Sequence, residues 1–498
     1  MPRRNFSFAN RAARAIVSIT MTQYEPVIGF EVHVELNTKT KIFCGCSTVF
    51  GAPPNTQVCP ICLGMPGTLP VVNRQAIEHT IRTAIALNCT IPEHSNFDRK
   101  NYYYPDLPKS YQVSQNYAIT GLAGWLDLEV GGETKRVRIN NVHLEEDAGK
   151  LVHSNIPGDE SSLVDLNRAG TALIEIVSEP DMANAEEALA YMNTLKNILE
   201  YIDVSDCNMH EGRLRFELNI SVREVGTEKL GTKVEIKNLN SMKTVLKCLD
   251  HETRRQSELL NQGGRVLQET RLWDEPAGMT RAMRSKEVAN DYRYFPDPDL
   301  VDIHIPEAWR EEVRAALPEL QEAKRRRFVE QYALPEYDAK LLTNSQGVAG
   351  YFEKAVAAGG APKAVSNWMM TEVLRELNER EMTAAEFPLK PEGLAELVGL
   401  IDSGKINSKT AKHVFARALE TGTAPTQIVE QEGLVQIEDS GEVERWVDEA
   451  IAENADAVAK IRAGQTKAVQ ALVGQVMKKS RGKANPRMVN EILEKKLG

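Results

Sequence analysis

Residues 27–36 read VIGFEVHVEL, a stretch in which apolar and polar side chains alternate after Gly29. On an extended strand successive side chains point to opposite faces, so Glu31, His33 and Glu35 share one face while Phe30, Val32 and Val34 share the other. The pattern predicts a strand with an apolar back and an acid-His-acid front. It runs directly into Cys44-x-Cys46 and Cys59-Pro-x-Cys62-x-Gly64. Each paired-cysteine turn can direct two thiolates at one ion, and Gly64 permits the tight backbone that this needs, a zinc-knuckle-like pattern. Four thiolates make a closed, structural shell. The front of the strand offers hard oxygen ligands and one imidazole, so a second, reactive metal site is expected beside it. The other reading of the quartet is four free cysteines that happen to lie close in sequence.

Working outward, 498 residues exceed what one hydrophobic core supports, and an apolar fraction of 42% belongs to a globular protein. The formal charge of -10 argues against uniform coating of nucleic acid, but it averages over a strong asymmetry. Between Gln427 and Asp456 the charges are acidic except for Arg445, whereas from Ala457 onward they are basic except for Glu491 and Glu494. The three dispersed cysteines, Cys89, Cys207 and Cys248, do not extend the quartet into a disulfide framework, which points to a reducing, cytoplasmic setting. No apolar run approaches the about 18 residues that a membrane span requires. Residues 1–21 carry Arg3, Arg4, Arg11 and Arg14 and no acid. They read as a non-native extension or disordered leader ahead of a start at Met21, or else as an organellar transit peptide.

From about residue 22 to 310 short β-type runs alternate with turn residues, giving an α+β domain built on a large antiparallel sheet. WLDLEVGGETKRVRINNVHLEED predicts a hairpin about Gly131-Gly132, and LRFELNISVRE a half-buried strand. Helices are expected over Arg74–Ala86 and Ala183–Tyr201. After Pro306 the strands give way to Ala-, Glu-, Leu- and Arg-rich helical segments over 307–332 and 347–378. An all-α domain over 311–425 and a basic helical tail over 426–498 follow, the tail ending in two helices joined at Gly482 to Pro486.

Other motifs carry chemistry. His143-Leu-Glu145-Glu146-Asp147 closes a predicted strand and could add carboxylates to Glu31 and His33; each cluster alone also reads as a solvated face or turn. FDRKNYYYPDLPKSYQVSQ (97–115) interleaves Arg99, Lys100 and Lys109 with Tyr102, Tyr103, Tyr104 and Tyr111, which suits a loop that grips a nucleotide or an RNA end, or a Tyr-rich packed loop. VDLNRAGTALIEIVSEPD (164–181) sets Glu175 inside an apolar strand, where a buried carboxylate needs a partner. There is no G-x-x-x-x-G-K-[ST] loop, so any ATP is bound without a standard phosphate loop.

Taken in order, VIGFEVHVEL, FDRKNYYYPDLPKSYQ, HLEEDAGK, VDLNRAGTALIEIVSEPD, VEIKNLNSM, DYRYFPDPDL and VGQVMKKSRGKANPRMVNEIL resemble the B-subunit family of the tRNA-dependent aspartyl/glutamyl-tRNA(Asn/Gln) amidotransferases, from about residue 24 to 497. The resemblance implies a cradle-like catalytic domain, a helical domain and a YqeY-like tail. It implies a carbon–nitrogen ligase that uses ATP and Mg2+ to phosphorylate the side-chain carboxylate of Glu-tRNA(Gln) or Asp-tRNA(Asn), which glutamine-derived ammonia then converts to Gln-tRNA(Gln) or Asn-tRNA(Asn). The partners implied are an amidase-fold glutaminase A subunit and a small C subunit, in a heterotrimer.

By resemblance, Glu31, His33, Glu145 and Glu146 hold Mg2+, with Glu145, Glu146 and Lys109 also catalytic, and Cys44, Cys46, Cys59 and Cys62 hold structural Zn2+. Lys109 and Glu146 match family positions that gate an ammonia tunnel, with Thr171 and Glu175 in the neighbouring motif. Arg99, Lys100, Asn167 and Arg168 are candidates for phosphate or aminoacyl-end contacts. Lys467, Lys478, Lys479, Arg481, Lys483 and Arg487 are the expected tRNA backbone contacts. Many members carry Asp where this chain has Glu217, which leaves a metal role for Glu217 in doubt. The competing reading is a non-catalytic tRNA-binding scaffold for a partner glutaminase.

Overall fold

The computed structural model describes residues 22–153, 161–283, 292–380, 382–435, 440–462, 469–480 and 484–497. The leader 1–21 lies outside them. The chain divides into two compact units, one ending at Pro318 and the other beginning at Glu319.

The first unit is built on an eight-stranded sheet whose central strand, Tyr24–Glu35, contains the diagnostic alternation. It pairs antiparallel with Leu214–Glu224 on one side and Ala172–Ser178 on the other, and the hairpin Gly121–Val130 and Glu133–Glu146 extends the second side. Gly131 and Gly132 turn that hairpin with φ of 61° and 87°, the left-handed region that a two-residue loop demands. Beyond Leu214–Glu224 lie Val234–Lys237, Thr270–Asp274 and Met279–Ala282. The first two of these run parallel. That departure from an all-antiparallel sheet has a topological cause: the helix Met242–Asn261 connects them, and parallel neighbours require such a crossover.

Phe30, Val32 and Val34 are fully buried, whereas Glu31, His33 and Glu35 are half-buried on the opposite face. Helix Ala185–Tyr201 helps to bury the apolar back, with Tyr191 stacked on Phe30 at 5.5 Å between ring centroids. It starts two residues later than the sequence suggests. Asn184 caps it by accepting from the Glu187 N–H, while Asp181 is committed to Arg138 at 2.6 Å. The apolar back is thus filled by packing, and the front stays open to chemistry.

The expected 307–332 helix is two, Glu307–Ala316 and Gln321–Tyr332, because Pro318 forces Leu317 into an extended conformation. Likewise 347–378 breaks after Ala357 and restarts at Pro362, then passes through a π-turn at Met369–Val373. The second unit contains two apolar clusters, one from Phe328 to Val429 and another from Val443 to Leu493. The second cluster includes the two tail helices, Val469–Lys479 and Pro486–Leu497.

Candidate active site

Register assembles the front of the sheet. Across neighbouring strands Arg215 stands opposite His33, His33 opposite Glu175, and Glu175 opposite His143. Directly paired residues project from the same face, so four separated segments deliver one polar row. His33 Nε2 lies 3.7 Å from Glu145 Oε1 and 3.6 Å from Glu175 Oε2, and His143 Nε2 lies 3.1 Å from Glu175 Oε2 and 3.8 Å from Glu145 Oε2. Ser114 Oγ donates to Glu145 at 3.2 Å.

The electrostatics are strong because the group is buried. Burial pushes the Glu175 carboxyl upward, but His143, then His33 and Lys100, outweigh it and hold it well below the carboxylate range. Burial disfavours the His143 cation too, yet Glu175 and Glu145 together raise that imidazole to about 10. Further along the central strand, burial and then Asp147 push Glu35 up to about 7. Asp147 pairs with Arg215 at 3.1 Å and Arg168 at 3.4 Å.

The four residues expected on one cation divide among three groups. Ligand atoms of His33, Glu145 and Glu175 lie within 4.8 Å of one another. Glu31 converges instead with Glu217 and Glu235, again within 4.8 Å. In that second group Asn219 donates to Glu31 at 2.9 Å, and Lys237 contacts Glu217 at 2.6 Å and Glu235 at 2.8 Å. Glu146, adjacent to Glu145 on the same strand, points away from the histidines as strand alternation requires. It accepts the Val113 N–H at 2.8 Å and forms a close ion pair with Lys109. His143, placed by the sequence only within the acidic cluster, comes against Glu175, and Glu217, whose metal role the resemblance leaves in doubt, converges with Glu31 and with Glu235, which the sequence does not single out.

Arg99 is bound to Asp297 at 2.9 Å and Asp299 at 2.7 Å and stacks over Tyr111 at 4.3 Å. Lys100 reaches toward the sheet front: burial disfavours its charge, but Glu145 first, then Tyr294 and Glu175, more than compensate and push its pKa up. Asn167 and Arg168 tie backbone together. Asn167 donates to the Pro53 carbonyl at 2.7 Å and accepts the Gln57 N–H at 2.8 Å, while Arg168 donates to the Ala148 and Gly149 carbonyls at 3.0 and 2.8 Å. Thr171 is buried, its carbonyl accepting the Asp147 N–H at 2.8 Å. A cavity of about 230 Å³ lies between the Arg99 and Lys109 ion pairs, with Phe43, Cys62, Gly64 and Glu146 in its wall.

The sulfurs of Cys44, Cys46, Cys59 and Cys62 lie within 4.8 Å of one another, an arrangement compatible with a structural metal. The Cys62 thiol is drawn down to about 4, chiefly by the hydrogen bond from Cys44, with help from the Cys59 N–H and the Lys41 ammonium. The same contact pushes the Cys44 thiol up, and burial raises Cys46, so it is Cys62 that is disposed to meet a soft divalent ion as thiolate. In the tail, Lys478 is exposed and Lys479 is engaged by Glu449 at 3.1 Å and Glu453 at 2.7 Å. Lys467, Arg481 and Lys483, and the side chain of Arg487, lie outside the described residues.

The segment that carries this sheet and its polar front, residues 26–311, matches the family model described as GatB/GatE catalytic domain; a second model, described as GatB domain, matches residues 350–497. Similar chains, each named as the B subunit of aspartyl/glutamyl-tRNA(Asn/Gln) amidotransferase, occur in Caldanaerobacter subterraneus, at 54% identity over 475 residues, and in Geotalea daltonii, at 53% over 476. Each alignment covers 95% of this chain and 99% of the relative. A chain of the same name from Brevibacillus brevis is 52% identical over 477 residues, covering 96% of this chain and 99% of its own. The protein belongs to the B-subunit family of the aspartyl/glutamyl-tRNA(Asn/Gln) amidotransferases.

Proposed function

We propose that this chain is the component that activates the misacylated amino acid in a tRNA-dependent amidotransferase. A side-chain carboxylate oxygen of Glu on tRNA(Gln), or Asp on tRNA(Asn), attacks the γ-phosphorus of ATP and ADP departs. Ammonia then attacks the acyl carbon, phosphate leaves with the C–O bonding pair, and the nitrogen sheds a proton to give the amide. The first step has little covalent demand on the protein and depends on positioning and charge neutralisation.

The observation that carries this reading is the convergence of His33, His143, Glu145 and Glu175 from three strands onto one buried patch in a member of this family. Buried carboxylates with no task would cost more than packed apolar residues. His33, Glu145 and Glu175 would hold one Mg2+, and Glu31 with Glu217 and Glu235 is a second hard-oxygen group suited to a cation. Bound there, Mg2+ would supply neutralisation of the phosphoryl oxygens. Lys100 faces the same patch and is suited to a phosphate oxygen, and the exposed Tyr103 and Tyr104 are suited to stack on an adenine or the tRNA end. Lys109 and Glu146 would control passage of ammonia, and Zn2+ on the four cysteines would brace the loop beside them.

Val49, Phe50, Met65, Leu69 and Val71 are exposed apolar side chains on the segment that carries the cysteines, which supports burial there by the glutaminase A or the C subunit. The functional division is 22–310 catalytic, 311–425 helical and 426–498 tRNA-binding. Among the described residues no helix is long and apolar enough to cross a membrane, and we place the complex in the cytoplasm.

The test is ATP cleavage and amidation by the complex with A and C subunits, ammonium chloride supplying nitrogen, for wild type, Glu145→Gln and Glu146→Gln. Loss of tRNA-stimulated ATP cleavage in Glu145→Gln places the phosphorylation on this chain. Normal turnover in both variants would return the acidic strands to packing and leave the scaffold reading standing.

A further inference from the structure

The four-cysteine loop sits against the Lys109–Glu146 pair. Gly64, two residues after Cys62, has φ of 66°, and a Cβ built there would collide with Lys109 Cγ. Phe43, adjacent to Cys44, places its ring 5.6 Å from Lys109 Nζ, and Tyr111 lies 5.1 Å from the same nitrogen. The loop backbone and one of its aromatic rings thus help to confine the stem and head of the lysine.

The Glu146 side is equally close. A Cβ on Gly170 would stand 3.4 Å from Cys62 Cβ and 3.9 Å from Glu146 Oε2, so the Gly170 backbone lies between the cysteine and the carboxylate. Lys41 is fully buried beneath, its Nζ 3.7 Å from Cys62 Sγ and 3.4 Å from the Leu166 carbonyl. The buried Lys41 head is thus partnered by the Cys62 sulfur of the cluster together with one backbone carbonyl. The cavity of about 230 Å³ is walled by both groups, with Cys44, Cys62 and Gly64 on one hand and Lys109 and Glu146 on the other.

We propose that the cysteine loop is the positioning element for Lys109, acting through Gly64 and Phe43, so that metal loading of the loop and closure of the Lys109–Glu146 pair are one structural property. A staple remote from that pair would hold the loop and nothing else. Here, loss of a metal ligand frees residues 59–64, and the wall against which Lys109 is pressed goes with them. The positioning claim stands on contacts alone; its consequence for ammonia passage rests on the function proposed above.

Two readouts separate the two. In the full-length chain, the rate of Lys109 acylation by an amine-directed reagent is followed by peptide mass spectrometry for wild type, Gly64→Ala, Cys59→Ser and Cys59→His, with zinc content measured alongside. Cys59→Ser is expected to lose metal and to label about ten-fold faster, and Cys59→His, which restores a ligand, to label like wild type. Gly64→Ala, which breaks the contact between loop and lysine directly, is expected to label faster, because the added methyl displaces the lysine stem. Labelling of metal-free Cys59→Ser at the wild-type rate overturns the proposal, whatever Gly64→Ala does. If Cys59→Ser fails to fold, wild type labelled before and after removal of zinc by a chelator makes the same comparison, an unchanged rate after metal loss overturning the proposal. In the complex with A and C subunits, Gly64→Ala should raise the ammonia lost to solvent per amide formed. Faster labelling with unchanged ammonia loss upholds the positioning role and removes the gate from the proposed function.

Discussion

The polar front of the sheet and the C-terminal bundle both concentrate charge, but they bury it differently. In the sheet, the Glu145 side chain is 3% exposed and that of Glu175 13%, and both are held among histidines and Lys100. In the bundle, Glu449 and Glu453 are 47% and 59% exposed where they meet Lys479. Exposed pairs contribute little to stability and are readily exchanged for another partner. Buried groups of like charge are costly, and a fold retains them where chemistry uses the field they create. The proposed function accordingly assigns the reaction to the first region and reversible contact to the second.

The sharpest way to break this contrast is Glu175→Gln. It should lower amidation by about 10²–10³-fold, since it removes the charge that both histidines face. Steady-state kinetics of the complex check this, and wild-type turnover would make the patch ordinary packing. Next in size is Leu472→Ala, a fully buried position in the tail bundle. A loss of about 2–5 kcal/mol is expected, read by hydrogen exchange of the tail helices, with protection of the sheet strands unchanged. Coupled loss in the sheet would show that the two regions are not independently stabilised.

A smaller effect is set by His79, buried in the helix Arg74–Ala86 and held below its ordinary 6.5 first by desolvation and then by Arg82. A depressed imidazole favours folding above the unfolded pKa, and that contribution is lost as pH falls through the folded value. His79→Leu should therefore flatten the decline in melting temperature on the acid side of pH 6.5, and an unchanged profile would assign the decline to other groups. Smallest is the tail. Lys478→Ala should reduce the salt dependence of tRNA binding by about one unit of slope, and Lys479→Ala by less, because Glu449 and Glu453 already engage Lys479. Equal slopes for the two variants would erase that distinction.

Much of the fold is legible locally. Alternation in VIGFEVHVEL, paired glycines at 131–132 and the spacing of Cys44, Cys46, Cys59 and Cys62 each depend on near neighbours, and the structure contains the corresponding strand, turn and sulfur cluster. The parallel strand pair is not legible, because it follows from where the helix Met242–Asn261 returns the chain. The helix breaks near Pro318 and Pro362 are legible in principle from the prolines themselves.

The site shows the same division. Sequence alone determined which residue types stand on which face of the central strand, and it identified the family through motifs spread along the chain. It could not determine which carboxylates converge. That depends on register between strands more than a hundred residues apart, where a shift by one position sends a side chain to the other face. Register groups Glu175 with His33 and Glu31 with Glu217, while alternation sends Glu146 to Lys109. In the tail, the acidic and basic stretches are separate along the chain, yet packing brings Glu444 and Asp448 to Lys496. Local patterns are set by covalent spacing and are written in the sequence; the pairing of charges is set by which surfaces the apolar cores bring together, and only the tertiary structure decides it.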